Sequence, residues 1–408
     1  MRISTNKINW VDVVLLVIIA SLSFMFIPAW LPLLRKGWQL LMLASALILV
    51  FRHNSINQRA VIALFLYSLV VVLNAMSGDL YIGSPANAIY DMMMLFVSSS
   101  LAFYCTVNGN LRFVKVLITI TFIALLFEMV ASFIVLEVNP GLIRGLYSMA
   151  KQEGDVSLMY EYYRMGIMDY NMAHALPLLI PSLICRYKEG RVKEKVLFAL
   201  LIAVCILLTW LSESATALML ILLMVFLGVL VSAKASFRKQ AIIITIMSLL
   251  TVALLSNDFV LGGIFDTAEV IVGDESIYAE KIEELRLSFM EDQTIGDMEG
   301  RFDRYGQSAR LFFDNIFLGS NQMPGRHSSL LDKLGTLGLI GFIPLMLFFI
   351  NQIKAIWRTI VPSRRVYYLE CVIAAFLMLL FKGMWVWPIF FFLFMLAPSL
   401  LIMPQTEK

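Results

Sequence analysis

Charge is what this sequence has least of. Only 15% of its 408 residues are Asp, Glu, Lys or Arg, while 60% are hydrophobic; a soluble chain carries about 25% charged residues to cover its surface. A soluble globular fold is excluded on that ground. Cysteine is scarce too. Cys105, Cys185, Cys205 and Cys371 all lie in or beside apolar runs, and no two stand in a CxxC spacing, so they read as buried thiols with neither a disulfide nor a zinc site. There is no Walker-type Gly-rich loop, no HExxH, no GxSxG and no DxD pair. Their absence argues against P-loop hydrolysis, zinc proteolysis, a serine-hydrolase elbow and metal-assisted transfer from a nucleotide sugar. No metal and no cofactor is expected, and a net charge of +3 gives no reason to expect nucleic acid as a partner. The alternating period of a membrane β-barrel is missing as well.

What the chain has instead is a series of apolar runs. About twelve can be read, at 9–30, 37–51, 60–76, 89–107, 113–137, 171–185, 196–211, 216–233, 240–256, 335–353, 366–384 and 386–403. A helix needs roughly 20 such residues to cross the hydrocarbon core. In lipid the backbone must satisfy its own polar groups, so helices are expected. The expected fold is an all-α polytopic membrane protein, with residues 1–408 as a single membrane domain in a lipid bilayer. The first run is long enough to stay as an anchor, and no small-residue cleavage site follows it.

The connecting segments sort by charge. One alternating set holds Arg2 and Lys7, then Arg52 and Arg59, then Arg112 and Lys115, then Arg186, Lys188, Arg191, Lys193 and Lys195. It continues with Lys234, Arg238 and Lys239, and with Lys354, Arg358, Arg364 and Arg365. The positive-inside rule assigns these short basic segments to the cytoplasm, with both termini on the same side and an even number of spans. Arg35 and Lys36 fall on the far side, where long cationic side chains can snorkel; an incomplete first hairpin is the competing explanation. Two outer segments are long, 138–170 and 257–334, and long connections need a reason. The second is acidic, with Asp274, Glu275, Glu280, Glu283, Glu284, Glu291, Asp292, Asp297 and Glu299. It also carries two helical stripes, Tyr278, Ile282, Leu285 and Phe289, then Phe302, Tyr305, Ala309 and Phe312, which predict amphipathic helices lying over the mouth of the bundle.

The polar residues of these outer segments are the candidates for chemistry. Arg301, Arg304 and Ser308 share one helical face, with Arg310, Arg326 and His327 following. Guanidinium forks suit the oxygens of a phosphate or pyrophosphate, but the same arginines could pair with the acidic residues of their own segment. His327, placed at the start of a helix that leads into a Gly-rich span, could accept a proton near neutral pH, or it could be a solvated or capping residue. His53 reads as a solvated loop residue and His174 as a packed one. Glu161, Arg164 and Asp169 stand beside Tyr160, Tyr162 and Tyr163; such aromatics form interfacial belts and also stack on sugars, and the belt alone leaves Arg164 unexplained.

One stretch resembles a known family. Arg301, Arg304, Ser308-Ala309, Phe313-Asp314-Asn315 and Phe317-Leu318-Gly319 are followed by His327-Ser328, Leu331-Asp332, Gly335 and Gly338-Leu339-Ile340-Gly341. In order and spacing they are similar to the signature region of the O-antigen polymerase and ligase superfamily. Arg164-Met165-Gly166 with Asn171 looks like the family's Arg-x-Gly element. Ser212-Glu213-Ser214-Ala215-Thr216-Ala217 departs from its Ser-Arg-Thr-Ala element and carries no assigned role. Ser328 stands where the family's ligases have Asn.

The resemblance implies a membrane glycosyltransferase at the periplasmic face of the bacterial inner membrane. It implies an undecaprenyl-pyrophosphate-linked glycan donor, a glycan acceptor, and a chain-length regulator as a candidate further partner. Inverting, metal-independent transfer would extend a surface polysaccharide. His327 is implied as the base, Arg164 and Arg301 as catalytic arginines on the pyrophosphate with Arg304 beside them, Asp332 as an orienting partner, and Tyr162, Tyr163 and Tyr305 as sugar contacts. Ligation of finished polymer to lipid A core is the rival within the family. A lipid-linked oligosaccharide flippase is the rival outside it; a transporter should place charges at mid-membrane, whereas within the spans Glu128 and Lys382 are the charges that stand out. A structural scaffold would leave the Arg and His cluster unexplained.

Overall fold

In a computed structural model of the protein, residues 9–24, 29–30, 37–53, 56–76, 85–107, 111–139, 142–143, 145–146, 157–212, 214–231, 242, 266–267, 270, 279, 282–283, 297–320, 322, 324–325 and 327–403 are described. Helix accounts for 87% of the described residues, with no strand among them, which fits the all-α class. The helices are α1 (Trp10–Leu22), α2 (Trp38–His53), α3 (Gln58–Met76), α4 (Pro85–Ala102, with a π-turn Phe103–Val107), α5 (Leu111–Val138), α6 (Ser157–Arg164) and α7 (Tyr170–Ala175). They continue with α8 (Ile180–Glu189), α9 (Val192–Leu211), α10 (Ala215–Leu230), α11 (Asp297–Asp314), α12 (Ser329–Thr359), α13 (Arg365–Phe381), α14 (Trp387–Phe391, with a π-turn Phe392–Leu396) and α15 (Ala397–Ile402).

Among the described residues, four stretches are long and apolar enough to cross a membrane: Ile89–Thr106, Phe113–Val138, Val192–Leu211 and Ser329–Thr359. Five shorter apolar helices accompany them. This is the make-up of a membrane protein, with fewer full-length helices than the twelve runs suggest. Part of the difference is proline. The expected run 171–185 is three pieces, α7, a 3₁₀ turn at Leu176–Leu178 and α8, because Pro177 and Pro181 bring no N–H to a helical ladder. The expected span 240–256 lies almost wholly outside the described residues, as do Arg35, Lys36 and most of the stripe from Tyr278 to Phe289. The second stripe does fall on a helix, α11.

The outward faces are oily. On α5, Ile123, Phe127, Val130 and Ile134 are each more than half exposed and recur at helical spacing. A stripe of that kind suits hydrocarbon rather than water. The centre of the bundle is the last segment: Phe390, Phe391, Phe392 and Phe394 are at most 1% exposed. Phe348 meets Phe394 edge-on at 6.0 Å, and Phe349 meets Phe390 at 5.9 Å, so α12 is locked onto this column by aromatic contacts.

Polar contacts gather at two ends of the bundle. At one, Arg364 pairs with Glu189 at 2.8 Å and donates to the carbonyls of Leu401 and Met403. Arg186 donates to Met403, and Lys188 to the last carbonyls of α10. At the other end Ser329 donates to the carbonyl of Lys382, bringing the start of α12 against the end of α13. Charges inside apolar helices are more numerous than Glu128 and Lys382 alone. Asp12, Asp91 and Glu370 also lie there, and Asp12 pairs with Arg52 at 3.2 Å and meets His53 at 2.8 Å and the Tyr104 hydroxyl at 3.3 Å. His53 is therefore a partner of Asp12 rather than simply a solvated residue.

Candidate functional site

Glycine decides how closely the turn after α11 can approach α12. Gly319 and Gly338 have φ of +75° and +57°, a region in which a Cβ is strained. A Cβ on Gly319 would land on the Thr336 carbonyl, and one on Gly338 on the Phe317 carbonyl. Helix α12 breaks at Gly338, and the turn takes up the backbone groups released there. Leu339 N–H donates to Ile316 O at 2.8 Å and Ile340 N–H to Phe317 O at 3.1 Å, while Ser320 N–H donates to Gly335 O at 2.9 Å. Much of the signature stretch thus encodes a backbone crossing.

That crossing presses α11 onto α12 through Ser308, a residue only 1% exposed. The Ser308 hydroxyl donates to Asp332 Oδ1 at 2.6 Å and accepts from Gly325 N–H at 2.9 Å. A Cβ on Gly335 would stand 2.6 Å from the Ser308 carbonyl, so only glycine allows the approach. The buried face of α11 is therefore Ser308 and Leu311, and the described members of the expected stripe, Tyr305, Ala309 and Phe312, are half-buried beside it. Asp332 serves the Ser308 brace.

His327 stands one residue before the N-cap of α12, not in its first turn. Ser328 is the cap, its side chain accepting from Leu331 N–H at 3.2 Å. The role expected for that pair divides accordingly: Ser328 caps, and His327 projects at the mouth, half-buried. Arg304 Nη1 donates to His327 Nε2. A guanidinium can only donate, so in this contact Nε2 is the acceptor. Tyr305 donates to the carbonyl of Phe381 at 3.0 Å, which ties α11 to the end of α13. The structure thus brings Arg304, Tyr305, Ser308, His327 and Asp332 into one group. The side chain of Arg301, and Arg326 entirely, lie outside the described residues.

Arg164, Tyr162 and Tyr163 form a second group, at the end of α6. Arg164 Nε donates to Ala29 O at 2.9 Å, and Trp30 donates to the Arg164 carbonyl. Tyr162 is half-buried. Tyr163 is 6% exposed and donates to Asp169 Oδ1 at 2.7 Å, so in this conformation its ring face is not offered to a sugar. Burial raises the Asp169 carboxyl above its usual range, and hydrogen bonds from Tyr163 and Asn171 pull it back down. Burial also pushes the Tyr163 phenol well up, with the Asp169 carboxylate adding to it. No described contact joins Arg164 directly to Arg304 or His327.

A third set lies beside the mouth group, and sequence reasoning missed it. Lys333, next to Asp332, pairs with Asp91 of α4 at 3.0 Å, meets the Tyr67 hydroxyl of α3 at 3.1 Å and lies 4.2 Å over the Trp385 ring. The signal was available, because Asp91 is an acid inside an apolar run. Below it, buried His174 meets Ser214 at 2.8 Å through Nε2 and the Tyr170 carbonyl at 2.9 Å through Nδ1, a packed and fully bonded histidine. Among the described residues no set of three His, Cys, Asp or Glu side chains is placed to hold a metal ion. No protein-family model matches the chain, and no curated protein is similar to it in sequence.

Proposed function

We propose that this chain is a membrane glycosyltransferase of the O-antigen polymerase type, with about twelve spans and both termini in the cytoplasm. On this reading it joins undecaprenyl-pyrophosphate-linked repeat units at the periplasmic face of the inner membrane. The observation that carries the proposal is the meeting of Arg304 with His327 at one end of the bundle, braced by Ser308 and Asp332. The basic residues Arg364, ion-paired to Glu189, and Lys188, bound to backbone carbonyls, lie at the opposite end, as the positive-inside rule asks of a periplasmic site.

The chemistry follows from these groups. The acceptor hydroxyl attacks the anomeric carbon of the donor, a C–O bond forms, and the bond to the pyrophosphate oxygen breaks with inversion. Undecaprenyl pyrophosphate leaves with the electron pair, and His327 Nε2 takes the acceptor proton. Arg304, with Arg301 and Arg164, stabilises the charge that develops on the leaving group. Nε2 meets Arg304. Donor pyrophosphate competes for the guanidinium, and its arrival frees the base.

The test is the surface polysaccharide ladder of a deletion strain complemented with the intact gene or with His327→Ala. A single repeat unit on core, with the ladder restored by the intact gene alone, is expected. Full-length polymer that stays lipid-linked would make the protein a ligase. The Lys333–Asp91 pair, an ion pair inside apolar helices, favours a flippase as the second reading. A normal ladder in the deletion strain, with loss of donor translocation in vesicles, would establish it.

A further inference from the structure

At the end of the bundle away from His327, a cavity of about 450 Å³ opens between the start of α3 and the last turns of α12. Arg59, Lys354 and Arg358 line it, with Asn57, Asn351 and Phe103. Lys354 and Arg358 are four residues apart on one helix, so they share a face, where like charges repel. Among the described residues none of the three has an ion pair or a hydrogen-bond partner. Five other cations of this end are engaged: Arg52 by Asp12, Arg364 by Glu189, Lys188 by the carbonyls of α10, Arg186 by Met403 and Arg365 by Ile360, while Lys193 and Lys195 project from the exposed start of α9 outside the cavity. The dipole of α12 accounts for Arg358, in its last turn, but not for Lys354 or Arg59. A preference for basic residues on one side explains their sign, not their convergence on one cavity whose lining includes no carboxylate.

The geometry points to a second binding site, for a phosphate-bearing anion, in this cavity. Its wall is held in place from within: the Asn57 amide donates to the Asn351 carbonyl at 3.2 Å and to Gln352 at 3.4 Å, and Gln352 is pinned to Ser99 at 2.9 Å. Two guanidiniums and an ammonium around a preformed hollow give the donor set that phosphate oxygens take. Phe103 and Ile56 add apolar wall, which suits a phosphate attached to a hydrophobic body. The site stands whatever chemistry occurs at the other end. Along α12, Lys354 is about 37 Å from Ser329 at 1.5 Å per residue, so it is not an extension of the His327 group.

The test uses the full-length protein in detergent, titrated separately with phosphatidylglycerol, phosphatidylcholine and inorganic pyrophosphate, with bound species counted by native mass spectrometry. The expected result is retention of phosphatidylglycerol over phosphatidylcholine, weakened about tenfold in R59Q/K354Q/R358Q; this assigns the anion to a lipid headgroup. Pyrophosphate retention lost in the same variant assigns it to a soluble phosphate. A355W fills the cavity and keeps all three cations, so it weakens binding too, and it decides the matter if the triple variant does not purify. Binding of neither anion by the native protein, or unchanged binding in A355W, overturns the site. An equal loss in K193Q/K195Q, which removes two exposed charges outside the cavity, reduces the effect to bulk charge and overturns it as well.

Discussion

Replacing Ser308 by alanine removes a single hydroxyl from beneath the mouth. That hydroxyl donates to Asp332 at 2.6 Å and accepts from Gly325 N–H at 2.9 Å. A hydrogen bond to a charged group contributes about 1.5–3 kcal/mol, and a buried amide left without a partner costs about 1–3 kcal/mol. The two share one oxygen and do not add in full, so about 2–4 kcal/mol is expected for local opening of the segment around Gly325. At 1.4 kcal/mol per factor of ten, the opened population rises by about 30- to 1000-fold. Hydrogen exchange read by mass spectrometry on peptides covering 320–332 measures this in detergent. His327 is two residues from Gly325, so the polysaccharide ladder should shorten or vanish in the same variant. Exchange within about threefold of the native protein would refute the brace, because a change of that size is under 1 kcal/mol. Fast exchange with a full-length ladder would keep the brace and detach it from the chemistry.

The glycine crossing gives a contrast between neighbours. Gly338→Ala puts a Cβ on the Phe317 carbonyl at φ +57° and should abolish folded protein on size-exclusion chromatography, whereas Gly306→Ala meets nothing within 4 Å and should raise the melting temperature, gaining up to about 1 kcal/mol of helix propensity. Lys333→Met leaves the half-buried Asp91 without its cation. Since their side chains are 17% and 24% exposed, the loss should be about 1–3 kcal/mol, below that of a fully buried pair, and Lys333→Met/Asp91→Leu should recover most of it in a thermal melt. Asp169 gives a pH dependence of defined sign. Its folded carboxyl is raised above 3.8 by burial, so stability is highest below pH 3.8 and falls as pH rises towards the folded value. Asp169→Asn should flatten that slope in melts across pH 4–8, and an unchanged slope would place the titration elsewhere.

The helical class was legible because composition alone forbids a water-soluble surface, and apolar runs near membrane length can satisfy their backbone in lipid only as helices. The bundle end that carries Arg304, Ser308 and His327 was legible because those residues fall on one α11 face and on the adjoining turn. What each residue does was less so. Asp332 looked like a partner for the histidine by proximity in sequence, yet a helical i, i+4 bond to the Ser328 carbonyl sets its direction, and Ser308 from another helix fills its oxygen. Tyr163 looked like a sugar platform, but burial of Asp169 beside it claims the hydroxyl. Lys333 and Asp91 are 242 positions apart, so although Asp91 stands out as an acid in an apolar run, nothing local names Lys333 as its partner. The proline-broken segment 171–185 illustrates a different failure, since hydropathy counts apolar residues without registering which of them lack an N–H.

The break at Gly338 has a consequence for how this chain can change length. The first turns of α12 share backbone hydrogen bonds with the turn after α11, through Ile316, Phe317 and Ser320, and those bonds are spaced by residue number. Inserting or deleting one residue between Ile316 and Ser320, or between Gly335 and Ile340, shifts donors past their acceptors and carries Gly319 or Gly338 off the point where the two backbones touch. Length variation should therefore be forbidden within the two arms of the crossing, each of which is a cassette of fixed length.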